Sequence, residues 1–121
     1  MQRLPLADAH CDFIYYMVND KWDLRKPNAK QAVALPYMQE ANAKLVFFAA
    51  WIDQDMKRNC LQQAMDLMDG YHTMLDANPE LVPLTKDFDP SGEKIATVLT
   101  VEEERESTVK LQIFVCSIAL A

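Results

Sequence analysis

Residues 45–52 are Leu-Val-Phe-Phe-Ala-Ala-Trp-Ile, an apolar run in which no position is polar. A strand that is apolar on both faces is typical of a parallel sheet covered on both sides. Two more strands are predicted from the residues on either side. One spans residues 4–12, and the other is the β-branched stretch 94–101. Residues 81–84 add only a minor extended element.

Helices are predicted between these strands. Residues 13–18 form an apolar block that can open a helix directly after the first strand, and Pro36 suits the first position of a short helix. A long helix is predicted to begin at Asp53 and Asp55 and to run to Ala77, because Asn and Pro follow it. Strands that alternate with helices indicate the α/β class, with a parallel sheet and right-handed crossovers.

Length and composition exclude several functions. The 121 residues suffice for one small domain. Twelve basic side chains against eighteen acidic ones give a net charge of -6, so no nucleic acid partner is expected. Two glycines are too few for a glycine-rich phosphate loop. The apolar run 111–121 is too short for a membrane helix, and three widely spaced cysteines favour reduced thiols and a cytoplasmic location.

The first predicted strand ends in Asp8-Ala9-His10-Cys11-Asp12. Alternation along a strand projects Asp8, His10 and Asp12 from one face and Cys11 from the other. An imidazole and a carboxylate two residues apart can share one divalent cation, so His10 and Asp12 form a candidate half-site for a metal. The alternative is that both residues end a buried strand and satisfy ordinary hydrogen bonds.

A further candidate ligand, Glu102, follows the strand 94–101. The carboxyl ends of parallel strands meet at one edge of a sheet. If the two strands are near neighbours in a barrel, Glu102 can share the cation of His10 and Asp12 or bridge two cations. The alternative is that the run of three glutamates is the solvated start of a helix. His72 lies at the edge of an apolar helical stripe and is interpreted as a boundary residue, not a ligand.

Several of these features together resemble the membrane dipeptidase (renal dipeptidase) family, peptidase family M19. The family is composed of (β/α)₈ TIM barrels with two zinc ions, and its members are metallopeptidases that hydrolyse dipeptides. The resemblance implies that His10 and Asp12 ligate one Zn²⁺ and that Glu102 bridges the pair. The catalytic residues, including the general acid for the leaving amine, stay unknown at this point. The shared features are Asp8-x-His10-x-Asp12, Leu35-Pro36 followed by residues 47–50, Leu67-Met68, and residues 95–102.

The resemblance spans Leu4 to about Glu103, which corresponds to the first three strands of the eight in a barrel. Residues 1–104 are therefore expected to be the N-terminal part of such a barrel, and residues 105–121 a divergent tail. Family members take further zinc ligands from later strands, so residues 1–121 alone are expected to be inactive. The alternative is a non-catalytic barrel remnant that acts through another chain, and open sheet edges predict self-association.

Overall fold

Strands and helices alternate along most of the chain, and a computed structural model describes residues 3–103 and 111–113. The elements in chain order are β1 (Leu6–Cys11), α1 (Phe13–Asp20), α2 (Leu35–Glu40), β2 (Ala43–Ile52), α3 (Cys60–Ala77), β3 (Leu81–Pro83), β4 (Ile95–Glu103) and β5 (Leu111–Ile113).

The five described strands form one sheet. Four of them lie in the order β1-β2-β4-β3 and are all parallel. The predicted α/β class with a parallel sheet is confirmed. β3 corresponds to the minor extended element of the sequence, and it joins the sheet as a full neighbour of β4, with Leu81 opposite Ile95. β5 lies in the stretch 105–121 that the sequence marked as divergent, and it pairs antiparallel with β4.

Helices cover one face of the sheet. On β2 and β4 this face presents Phe48 and Leu99, which are 0% and 2% exposed, and both belong to one core cluster with Tyr71 of α3. The Tyr71 hydroxyl lies 2.7 Å from Oγ1 of Thr97, which satisfies two polar groups inside this core.

The other face of β2 differs from the prediction that both faces are covered. Leu45, Phe47 and Trp51 alternate with the core residues and are only half-buried. The apolar run 45–52 therefore has one face that is fully packed against helices and one face that, in the described part of the chain, is not.

The predicted start of the long helix is wrong. α3 begins at Cys60, and its N-cap is Asn59, whose side chain accepts a hydrogen bond from the Leu61 amide at 2.8 Å. Asp53 lies in the preceding loop, which the buried side chain of Gln63 holds in place. The Gln63 amide oxygen accepts from the Asp53 N–H, and its nitrogen donates to the Asp53 carbonyl, both at 3.0 Å.

Gly70 allows α1 and α3 to approach closely. A Cβ atom at this position would lie 2.6 Å from Cγ2 of Val18, a distance that real contacts do not show. The absence of a side chain at Gly70 therefore sets how near α1 comes to α3. Since α1 begins directly after Asp12, this packing also limits where the end of β1 can lie.

Candidate metal centre

The end of β1 brings His10 and Asp12 together. β1 ends at Cys11, and Asp12 takes the N-cap position of α1 without forming a side-chain cap hydrogen bond. The Asp12 carboxylate turns instead to the imidazole of His10, and Oδ1 lies 3.1 Å from Nε2. Cys11 points to the opposite side, as the alternation predicted, and is 4% exposed in the core. This burial raises the pKa of the Cys11 thiol to about 12.

Glu102 reaches the same point from β4. β2 lies between β1 and β4, and its Trp51 is the register partner of Glu102. Oε2 of Glu102 lies 3.4 Å from Nε2 of His10. Neighbouring strands are about 4.8 Å apart, so the two side chains meet above β2. The small side chain of Ala49, on this face of β2 and fully buried, leaves room for that meeting.

The three side chains form a group with the composition of a metal site. One ligand atom from each of His10, Asp12 and Glu102 lies within 4.8 Å of the others. In the described part of the chain, no other group of three or more His, Cys, Asp or Glu residues has this geometry. The group remains half-exposed, with 50% of the His10 side chain and 31% of the Glu102 side chain open to solvent.

Oδ1 of Asp12 is buried and has no hydrogen-bond partner. Nε2 of His10 lies 3.1 Å away, within ion-pair distance, but makes no hydrogen bond to this oxygen in the structure. A buried carboxylate oxygen without a donor is unfavourable, and a second carboxylate from Glu102 adds negative charge at the same place. A cation bound among the three side chains would relieve both effects.

Asp8 does not belong to this group, although the strand alternation put it on the same face. Its carboxylate accepts the backbone N–H of His10 at 3.1 Å. The pairing of β1 with β2 shifts register between Asp8 and Cys11, which interrupts the simple alternation. His72 also lies outside the group. It is exposed on α3, with its ring against Tyr71.

Two residues that the sequence did not predict lie at the same edge of the sheet. The Tyr15 hydroxyl in α1 donates to Oδ2 of Asp53 at 2.7 Å, and its ring meets Trp51 edge-on with centroids 4.9 Å apart. The hydrogen bond to Asp53 raises the pKa of Tyr15 to about 12. The position of Asp53, directly after β2, was the available signal, but the sequence assigned Asp53 to the start of a helix.

The chain matches no protein-family model, and no curated protein matches its sequence. Among the described helices, none has both the length and the apolar character needed to cross a membrane. Function is therefore inferred from the three-residue group and its surroundings.

Proposed function

We propose that His10, Asp12 and Glu102 bind Zn²⁺ and form part of the metal centre of a dipeptide hydrolase of the membrane dipeptidase type. One observation carries the proposal. Three potential ligands from the ends of β1 and β4 converge within 4.8 Å, and one of their buried oxygens lacks a hydrogen-bond partner.

The donor set suits zinc. Zn²⁺ accepts both imidazole nitrogen and carboxylate oxygen, and catalytic zinc is commonly held by three protein ligands with one position left for water or substrate. Mn²⁺ and Fe²⁺ accept the same donors, so the test compares metals. The exposure of His10 and Glu102 is compatible with access for a small substrate.

The proposed chemistry is hydrolysis of an amide bond. Zinc lowers the pKa of a bound water and polarises a carbonyl oxygen. The chain's own residues hold the site. Asp8 accepts the His10 amide, which fixes the backbone that carries the imidazole, and β4 fixes Glu102 against Trp51 of β2. In this proposal the parallel strands are the opening strands of a (β/α)₈ barrel, whose chemistry lies at the carboxyl ends of its strands.

The dipeptide substrate rests on the resemblance of residues 8–12 and 95–102 to the family. A centre with two zinc ions requires more ligands than the three that the described residues supply. We therefore expect these three ligands to bind zinc without supporting dipeptide hydrolysis on their own.

The test is to measure zinc content and dipeptide hydrolysis for the purified chain. The parent protein should retain zinc after dialysis and show no turnover. His10→Ala should lose the zinc, whereas His72→Ala, which removes the other histidine from an exposed position on α3, should keep it.

Equal loss of zinc in both histidine variants, or no zinc in the parent protein, would contradict the metal site. Turnover that disappears in His10→Ala would support the hydrolase and overturn the expected inactivity. Parallel measurements with Mn²⁺ and Fe²⁺ identify the preferred metal.

A further inference from the structure

We propose that Tyr15 is a positioning residue for the metal centre, holding the ligands of β1 and β4 in register through its hydrogen bond to Asp53. The inference rests on the proposed metal site. The side-chain partners of Tyr15 are Asp53 and neighbouring aromatic rings, not the three ligands.

Tyr15 is connected to both sides of the centre. Its backbone N–H donates to the carbonyl of Asp12 at 3.1 Å, which ties it to the ligand pair of β1. Its ring meets Trp51, the register partner of Glu102, with centroids 4.9 Å apart. Displacement of Tyr15 would therefore act on Asp12 through the backbone and on Trp51 through the ring contact, and Trp51 pairs with Glu102 in the sheet.

The hydroxyl end of Tyr15 is bonded to the loop that follows β2. Its hydroxyl donates to Oδ2 of Asp53 at 2.7 Å, while Oδ1 of the same carboxylate accepts the Asp55 amide at 3.0 Å. The Asp53 backbone is held in turn by Gln63, which is 4% exposed and makes a third hydrogen bond to the Arg58 carbonyl. Both oxygens of Asp53 are thus used, and its position depends on α3.

This arrangement matters because the metal ligands lie on two strands that are not neighbours. β1 and β4 are separated by β2, and the register of β1 against β2 shifts between Asp8 and Cys11, the stretch that carries His10. The bond from Tyr15 to Asp53 links the segment after β1 to the segment after β2. Groups that orient metal ligands without touching the metal commonly change affinity about 10-fold to 100-fold when removed.

Tyr16 provides a matched control. It is the next residue in α1, it is 38% exposed, and its ring stacks on Trp22 with centroids 4.5 Å apart. Replacing either tyrosine with phenylalanine removes one hydroxyl and keeps the ring. Only the Tyr15 hydroxyl bonds to Asp53.

The experiment measures Co²⁺ affinity and the visible absorption of bound Co²⁺, which reports ligand geometry. Tyr15→Phe should weaken binding about tenfold and change the spectrum, whereas Tyr16→Phe should match the parent protein. Asp53→Ala should weaken binding at least as much as Tyr15→Phe, because it also removes the bond from the Asp55 amide. The double variant should be no weaker than Asp53→Ala, since the bond from Tyr15 is already lost there.

A second measurement uses the metal-free chain. Amide hydrogen exchange at Tyr15 should be faster in Tyr15→Phe than in the parent protein, and unchanged in Tyr16→Phe. The inference would be overturned if Tyr15→Phe had the same Co²⁺ affinity, the same absorption spectrum and the same exchange rate as the parent protein. Absence of Co²⁺ binding in the parent protein would refute the proposed metal site, while the exchange result would still decide whether Tyr15 positions Asp12.

Discussion

The two faces of the sheet are made by the same strands but differ in what holds them. On the helix-covered face, Cys11, Phe48 and Leu99 are nearly inaccessible and their positions follow from packing. On the opposite face, His10 and Glu102 are half-exposed and their positions follow from strand ends and polar contacts. Cys11 and His10 are adjacent in the chain, so one residue step along β1 separates the core from the candidate metal centre.

The difference shows how a small sheet can carry a reactive group without weakening its core. The covered face accounts for stability, because buried apolar area is the main favourable contribution to folding. The other face leaves polar side chains within reach of each other and of solvent. Changes on the two faces should therefore affect different measurements, folding on one and metal binding on the other.

The largest expected effect is on the covered face. Phe48→Ala should lower the free energy of unfolding by about 3–5 kcal/mol, because it removes a fully buried ring and leaves a cavity. Urea denaturation measures this loss. The matched control is Phe47→Ala on the half-buried face, which should lose clearly less. Equal losses for the two variants would show that the faces do not differ as described.

The next effect concerns metal affinity. Glu102→Gln keeps the shape of the side chain and removes its charge. Zinc affinity, measured by competition with a chelator, should fall by at least the roughly 10-fold that loss of an outer-shell partner causes. Stability without metal should rise slightly, because the repulsion between the carboxylates of Asp12 and Glu102 is removed. Glu93→Gln, an exposed position just before β4, should change neither quantity.

A smaller effect is expected from the ionisation of Tyr15. Its pKa is raised from 10.0 to about 12 by the hydrogen bond to Asp53. The contribution of this bond to stability should be complete below pH 10 and should be lost as the pH rises through 12. In a pH titration followed by absorbance at 295 nm, the difference in absorbance between the parent protein and Tyr15→Phe should have its midpoint near pH 12. A midpoint near 10 would show that the bond is absent.

The smallest perturbation is alkylation of cysteine, which compares a buried thiol with an exposed one. Cys60 is exposed at the start of α3, whereas Cys11 is buried and its pKa is about 12. Iodoacetamide should modify Cys60 at least about tenfold faster than Cys11. Peptide mass spectrometry measures the two modification rates. Similar rates would mean that the end of β1 opens readily and that the two faces are not separated there.

Sequence reasoning predicted the parallel α/β class because the apolar run 45–52 and the β-branched strand before Glu102 are long, regular signals. It also selected the three residues that converge, since the spacing of His10 and Asp12 and the end of β4 are local features. Their role as zinc ligands remains a prediction.

Other features depend on tertiary contacts. β3 has only three residues, so its place beside β4 is decided by pairing and not by local pattern. Asp53, Asp55 and Asn59 all have side chains that can cap a helix, and the bonds of Gln63 to the loop decide among them. Tyr15 lies within an apolar block, where its hydroxyl gives no sequence signal.

The central claim is that His10, Asp12 and Glu102 share one cation. Anomalous diffraction at the zinc absorption edge, from crystals of the zinc-loaded chain, tests this most directly. The expected result is an anomalous peak in contact with Nε2 of His10 and with carboxylate oxygens of Asp12 and Glu102. A chain in which these side chains converge as described, but whose zinc peak lies elsewhere or is absent, would contradict it.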